Sequence, residues 1–264
     1  MIEESYREVA GKRLRVLSRL DEPGTPLLVF NGIGASADIL RPLLEAYPGG
    51  VIAYDLPGVG ASPPALLPGR MRDHATLASE VLQSFGIDRC HVMGVSWGGG
   101  LAQQFALQYP HKVDRLILAA TSSGHLMLPP SPAVILRMAT PLRYLSAGYF
   151  KRIAGEIYGG DFRNNAAKAE KHARLMTPPS IWGYLSQLYA MIGWTSLFRL
   201  HRIEAPTLVL AGEDDPIIPL ANARLLADRI PNARLRTFDC GHLFILTRLD
   251  EVITEIGRFT AEAA

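Results

Sequence analysis

The feature that most constrains how this chain folds is a repeated alternation of short apolar runs with amphipathic stretches. The runs at 27–30, 51–54, 91–94, 116–119 and 207–210 are predominantly apolar, as expected of strands covered on both faces. Helical spacing of apolar residues lies between them at 38–47, 73–86, 97–109 and 218–229, followed by a last strand near 234–238 and a last helix near 246–262. Two polar, alternating stretches at 5–10 and 13–19 open the chain in the pattern of an edge hairpin. The series predicts the α/β class, with a mostly parallel central sheet and helices on both faces.

One region breaks the alternation. Between Thr121 and His201 there is no convincing strand, only Pro-bounded helical stretches, and about 80 residues is far too long for an ordinary connection. The expected organisation is therefore a core made of residues 1–120 and 202–264 and a helical cap inserted at 121–201. Charge divides along the same line. The 27 basic and 25 acidic residues leave only +2, which excludes an electrostatic nucleic-acid binder. The insertion, however, carries nine Lys/Arg, among them Arg143, Lys168, Lys171 and Arg174, against three acids. Its balance of +6 leaves −4 for the rest.

Other functions are excluded by what the sequence lacks. No stretch approaches the roughly 18 apolar residues of a membrane span, so integral membrane contact is not expected. The opening MIEESYREVAGK has neither the basic nor the apolar region of a secretory signal. Cys90 and Cys240 show no paired or metal-ligand spacing, which fits a reducing compartment. A cytoplasmic protein is the resulting expectation.

Two motifs compete for the chemistry. Gly32-Ile33-Gly34-Ala35-Ser36-Ala37 follows a strand and precedes a helix, and Asp55 ends the next strand; this is the pattern of a dinucleotide-binding turn with its ribose acid. Gly94-Val95-Ser96-Trp97-Gly98 also sits between strand and helix and has the G-x-S-x-G form of a nucleophile elbow, in which a strained turn lifts the Ser96 hydroxyl clear of the backbone. A serine hydroxyl needs a base and an acid that orients the base. On such a sheet they come in the chain order Ser, Asp or Glu, His. Glu213-Asp214-Asp215-Pro216 follows one late strand and Asp239-Cys240-Gly241-His242 follows the last. Asp215, immediately before Pro216, is the preferred acid, with Asp214 second, and His242 is the base. The other histidines lack a matching acid or a metal-binding spacing. The glycine loop then acquires a second reading, in which the backbone amides of Ile33 and Trp97 form an oxyanion hole.

At this point the chain resembles the α/β-hydrolase superfamily. More narrowly, it resembles the intracellular polyhydroxyalkanoate depolymerases that act on medium-chain polymer. The strings that carry the likeness are LLVFNGIGA, YDLPGVGAS, GVSWGGGLAQQFA, IYGGDFR, GWTS, PTLVLAGEDDPIIPL, RIPNA and GHLFILTR. The resemblance assigns Ser96 as nucleophile, Asp215 as acid and His242 as base, and implies that no cofactor or metal is needed. It also implies a polyester or medium-chain acyl ester substrate, (R)-3-hydroxy acids or oligomers as products, and contact with a polymer granule surface or its coat proteins. The short flanks leave no room for a separate polymer-binding module, so such contact is expected through the cap or through other proteins. The apolar cap stretch containing Trp182, Tyr189 and Trp194 reads either as a substrate-binding wall or as the cap's own core. Three alternatives stay open: a capped hydrolase of soluble esters or lactones, an NAD-linked oxidoreductase using the Gly32–Gly34 loop, and a non-catalytic ligand-binding relative.

Overall fold

The computed structural model describes residues 1–165, 167, 170 and 177–262; Lys168, Lys171, His172 and Arg174 lie outside the described residues. Eight strands form one sheet: β1 (Glu3–Val9), β2 (Lys12–Arg19), β3 (Leu27–Phe30), β4 (Val51–Tyr54), β5 (Cys90–Val95), β6 (Val113–Ala119), β7 (Thr207–Gly212) and β8 (Ala233–Phe238), in the order β1-β2-β4-β3-β5-β6-β7-β8. β1 and β2 form an antiparallel hairpin, β2 pairs antiparallel with β4, and every later pairing is parallel.

The parallel strands β3 to β7 are largely apolar on both sides because each side meets helices, whereas the edge strand β8 alternates polar and apolar residues. Leu28, Phe30, Ile52, Val92, Leu116, Leu118 and Val209 face one layer, packed on α2 (Met71–Ser84), α3 (Trp97–Gln108) and part of a later helix, Leu220–Arg229. The alternate residues Leu27, Val29, Val51, Met93, Ile117 and Leu208 face the opposite layer, built by α1 (Arg41–Ala46) and the final helix, Leu249–Ala261. Side chains alternate faces along a strand, so each four-residue run serves both cores.

Two expected helices are divided. The 38–47 stretch becomes a 3-10 turn at Ala37–Leu40 followed by α1, which has Pro at its start; a ring nitrogen has no N–H to continue the preceding turn. The 246–262 stretch becomes two helices on either side of Arg248, whose backbone is non-helical.

Between β6 and β7, the described residues form helices with one isolated bridge, Gly124 to Thr195. These helices are α4 (Pro132–Met138), α5 (Leu142–Leu145), α6 (Ala147–Tyr158), α7 (Asp161–Asn164) and α8 (Ile181–Met191). The chain then returns to β7 and continues through α9 (Leu220–Arg229), β8, α10 (Phe244–Thr247) and α11 (Leu249–Ala261). Among the described residues no helix is long and apolar enough to cross a membrane.

Candidate active site

Ser96 sits between β5 and α3 with φ 54° and ψ −116°. A non-glycine residue in that region costs on the order of 1–3 kcal/mol and persists only where its surroundings hold it. Here the Ser96 amide donates to Ala119 O at 2.9 Å, and Thr121 Oγ1 donates to Ser96 O at 2.7 Å. Gly98 lets α3 start directly against β3. A Cβ at that position would overlap the carbonyl of Phe30, so alanine there would push the helix off the sheet.

The turns after β7 and β8 bring acid and imidazole together. His242 Nδ1 lies 2.7 Å from Asp215 Oδ2, and both side chains are almost fully buried. Asp215 Oδ1 accepts from the amides of Ile217 and Ile218, each at 2.9 Å, which fixes the carboxylate and leaves its other oxygen for the ring. With Nδ1 donating to the carboxylate, Nε2 is the free nitrogen. His242 is held further by its own amide, which donates to Tyr158 O at 2.7 Å, and by stacking on the Tyr158 ring.

The neighbouring acids have different partners. Asp214 receives two bonds from Arg163, at 2.7 and 2.8 Å, and one from the Gly160 amide. The guanidinium holds the Asp214 carboxyl below its ordinary range. Glu213 accepts from Thr237 Oγ1.

The 31–36 loop approaches from the other side. A Cβ built on Gly32 would lie 3.7 Å from Ser96 Cβ. The loop is shaped internally by Asn31, whose side chain bonds Gly32 N and Ser36 O. From above, Gly34 N donates to Gln187 Oε1 at 2.7 Å, and Tyr144 Oη donates to Ile33 O at 2.7 Å. Among the described residues the amides of Ile33 and Trp97 have no protein acceptor. The Trp97 indole donates to Gln187 O at 2.9 Å. One buried glutamine of α8 therefore ties down both the loop and the start of α3.

Ser96, His242 and Ile33 line a common cavity with Met138, Arg143, Tyr144 and Tyr158. Its volume is about 50 Å³, room for a few water molecules and too little for a hydroxyacyl unit with a medium-length side chain.

The aromatic residues read either as a substrate wall or as the cap's own core lie away from this cavity. Trp194 is buried in the main core, with Nε1 donating to Gln104 Oε1 at 2.9 Å. Trp182 donates to Ala65 O, and Tyr189 lies under Arg70 at 4.0 Å; none of the three lines the cavity. A helix that is apolar all round carries no label saying which face meets substrate.

Of the residues that line or brace the cavity, Tyr144 and Gln187 went unmarked in the sequence, while Arg143 and Tyr158 stood out only as one of nine basic residues and as part of IYGGDFR, with no sign of this location.

Two of the strings that carry the family likeness, IYGGDFR and GWTS, lie in the insertion and act as fastenings. In IYGGDFR, Tyr158 O holds His242, Asp161 pairs with Arg248 at 2.8 Å and Arg163 pairs with Asp214. In GWTS, Trp194 bonds Gln104, Thr195 Oγ1 bonds Ser123 O at 2.8 Å, and Ser196 Oγ bonds Gln103 Oε1 at 2.6 Å. Asp55, the candidate ribose acid, is fully committed as well. Its carboxylate accepts from Ala37 N, Ala61 N and Arg15 and is buried, so it has no free edge for a sugar hydroxyl.

Comparison with known proteins adds to this geometry. A family model of the α/β hydrolase fold matches residues 25–249. A poly(3-hydroxyalkanoate) depolymerase of Ectopseudomonas oleovorans is 47% identical over 255 residues, covering 96% of this chain and 90% of that protein. Among solved structures, a hydrolase from Pseudomonas aeruginosa PA01 is 25% identical with a TM-score of 0.83, covering 98% of this chain and 99% of its own. The enol-lactonase from Burkholderia xenovorans LB400 reaches a TM-score of 0.84 at 19% identity, covering 98% of this chain and 100% of its own; that likeness is one of fold.

Proposed function

The chain belongs to the α/β-hydrolase fold family and, within it, to the poly(3-hydroxyalkanoate) depolymerases, which are carboxylic-ester hydrolases. On that premise we propose that it cleaves medium-chain poly(3-hydroxyalkanoate) through a serine-bound acyl intermediate. The observation that carries the reading is the 2.7 Å contact between Asp215 and the His242 ring, on the same cavity as the strained turn at Ser96.

In this mechanism Ser96 Oγ attacks the ester carbonyl as its proton passes to His242 Nε2. Asp215 holds the ring and stabilises the imidazolium. The amides of Ile33 and Trp97 donate to the developing oxyanion, where they act at full strength because no protein acceptor competes. The C–O bond breaks and the alkoxide takes the proton from His242, leaving as the hydroxyl of a 3-hydroxyacyl unit. Water, deprotonated by His242, then releases the acyl group from Ser96.

On this reading the 121–201 insertion is a cap that opens to admit polymer, since the cavity beneath it is small. Exposed Leu136, Leu142 and Leu145 support contact of the cap with an apolar polymer surface. This would place the enzyme in the cytoplasm at polyester granules.

A second reading, hydrolysis of soluble esters or lactones, is favoured by the cavity size itself. Product analysis after incubation with amorphous medium-chain polymer, short-chain polymer and soluble esters in parallel separates the two. Release of 3-hydroxy acids from medium-chain polymer is expected, and activity on soluble esters alone would favour the second reading. Ser96→Ala is expected to lose at least about 10³-fold in kcat; a variant that kept full activity would overturn the serine mechanism.

A further inference from the structure

Arg143 is a cation in an unusual place. It lies on α5, is 1% exposed, and lines the cavity that holds Ser96 and His242. Its Nη1 donates to Tyr184 Oη at 2.8 Å and to Thr140 O at 3.4 Å, and Nη2 reaches Ile33 O at 3.5 Å. The guanidinium also lies over the rings of Tyr144 and Tyr184, at 4.6 and 5.3 Å. Its Nε is buried without a partner. Among the described residues it forms no ion pair with a carboxylate; its hydrogen bonds go to neutral oxygens. The phenols around it do not supply the missing charge, because burial pushes Tyr158 and Tyr184 upward and keeps them neutral.

A guanidinium stays charged at any working pH, and a buried charge without a counter-ion is strongly destabilising. Tyr184 spends its own proton on Met138 O at 2.6 Å, so the hydrogen-bond frame holds Arg143 in place without neutralising it. The cavity offers the site an anion from outside.

We propose that Arg143 is the receptor for the free carboxylate of a 3-hydroxyacyl chain, making this a hydrolase that works from acid ends and on short acid-terminated oligomers. The inference rests on the reading of Ser96 as the ester-cleaving nucleophile. A 3-hydroxyacyl chain has one carboxylate, and it always lies on the alcohol side of the bond to be broken. In the terminal unit three bonds separate the ester oxygen from the carboxylate carbon, a reach of about 3.8 Å, as between consecutive Cα atoms. Arg143 lines the same cavity as Ser96 and His242, and its Nη2 lies 3.5 Å from the carbonyl of Ile33, the residue whose amide is assigned to the oxyanion in the proposed mechanism. Cleavage there releases one hydroxy acid, with its carboxylate on Arg143 and its new hydroxyl where the ester oxygen was. The Ser96 acyl group is then removed by water.

The test compares a 3-hydroxyoctanoyl dimer as the free acid with its methyl ester, in the wild type, Arg143→Lys and Arg143→Met. The wild type is expected to favour the free acid by about tenfold or more in kcat/KM, carried mainly by KM. Arg143→Met is expected to reduce that ratio to about one, and Arg143→Lys to an intermediate value because it keeps the charge and loses the planar fork. A wild type with no preference, or a ratio unchanged in Arg143→Met, would overturn the proposal. A second measurement separates it from the hydrolase reading: calorimetric binding of 3-hydroxyoctanoate to Ser96→Ala and to Ser96→Ala/Arg143→Met. Binding is expected in the first and about 10- to 100-fold weaker in the second. Equal binding in both overturns the receptor. Arg143-dependent binding by a wild type that cleaves neither ester overturns the nucleophile and leaves the receptor standing. Circular dichroism confirms folding, and a buried unpaired cation replaced by Met is expected to unfold at equal or higher denaturant.

Discussion

At Asp214 and Asp215, two identical side chains on adjacent residues have opposite tasks because they point to different partners. Asp215 faces His242 and two amides; Asp214 faces Arg163 and Gly160. Asp215→Asn is therefore expected to lower kcat on a soluble chromogenic ester by about 10³- to 10⁴-fold, since an amide favours the wrong tautomer of the ring. Asp214→Asn should stay within about threefold. The two also differ in acid. Because Arg163 depresses the Asp214 carboxyl from its ordinary 3.8, the pair contributes stability that is present above that value and lost as pH falls through the lowered one. The urea midpoint of the wild type should therefore drop more steeply below 3.8 than that of Asp214→Asn. Both side chains are about half exposed, so solvent screening keeps the difference within about 1 kcal/mol.

At the scale of elements, the junction of α6 with the loop before α10 joins the insertion to the proposed base. Gly160 has φ +46°, and a Cβ built there would overlap Gly241 N, one residue before His242. Gly160→Ala is expected to cost about 2–4 kcal/mol in urea unfolding, from left-handed strain and overpacking together, and to lower kcat by displacing the imidazole. Gly148→Ala, early in α6 with open space where its Cβ would go, is the matching control. It should be neutral or stabilising by less than about 1 kcal/mol. Equal effects of the two substitutions would show that the junction is not what positions His242.

For the molecule as a whole, the proposed cap is fastened at its middle and at its C-terminal end, and it carries exposed leucines on its outside. Leu136, at 73% exposed, and Leu145, at 52%, are available to a polymer surface. Burying two leucines contributes roughly 1.5–3 kcal/mol each. The double variant Leu136→Asp/Leu145→Asp is therefore expected to reduce the ratio of polymer to soluble-ester activity by about tenfold or more, with a matching loss of co-sedimentation with polymer. An unchanged ratio would remove the cap exterior from polymer contact.

The sequence by itself determined the sheet, its two helical layers and the strand-to-helix turn at Ser96, because strand period, run length and turn chemistry are properties of neighbours in the chain. It brought the acid down to three consecutive residues and preferred Asp215 for its place before Pro216, without the contacts that give each of the three its partner. Which of them meets His242 depends on Arg163, 51 residues away from Asp214, and on a histidine 27 residues beyond Asp215. The same limit hid the cavity wall. Arg143 reads as one of nine basic residues in the insertion, and only packing against Tyr184, 41 residues later, makes it buried and unpaired. Trp194, conspicuous in the chain, is bonded to Gln104, 90 residues earlier, and so belongs to the core. The tertiary structure decided these identities because a side chain's partner, and with it its charge state and task, is set by contacts between residues far apart in the chain.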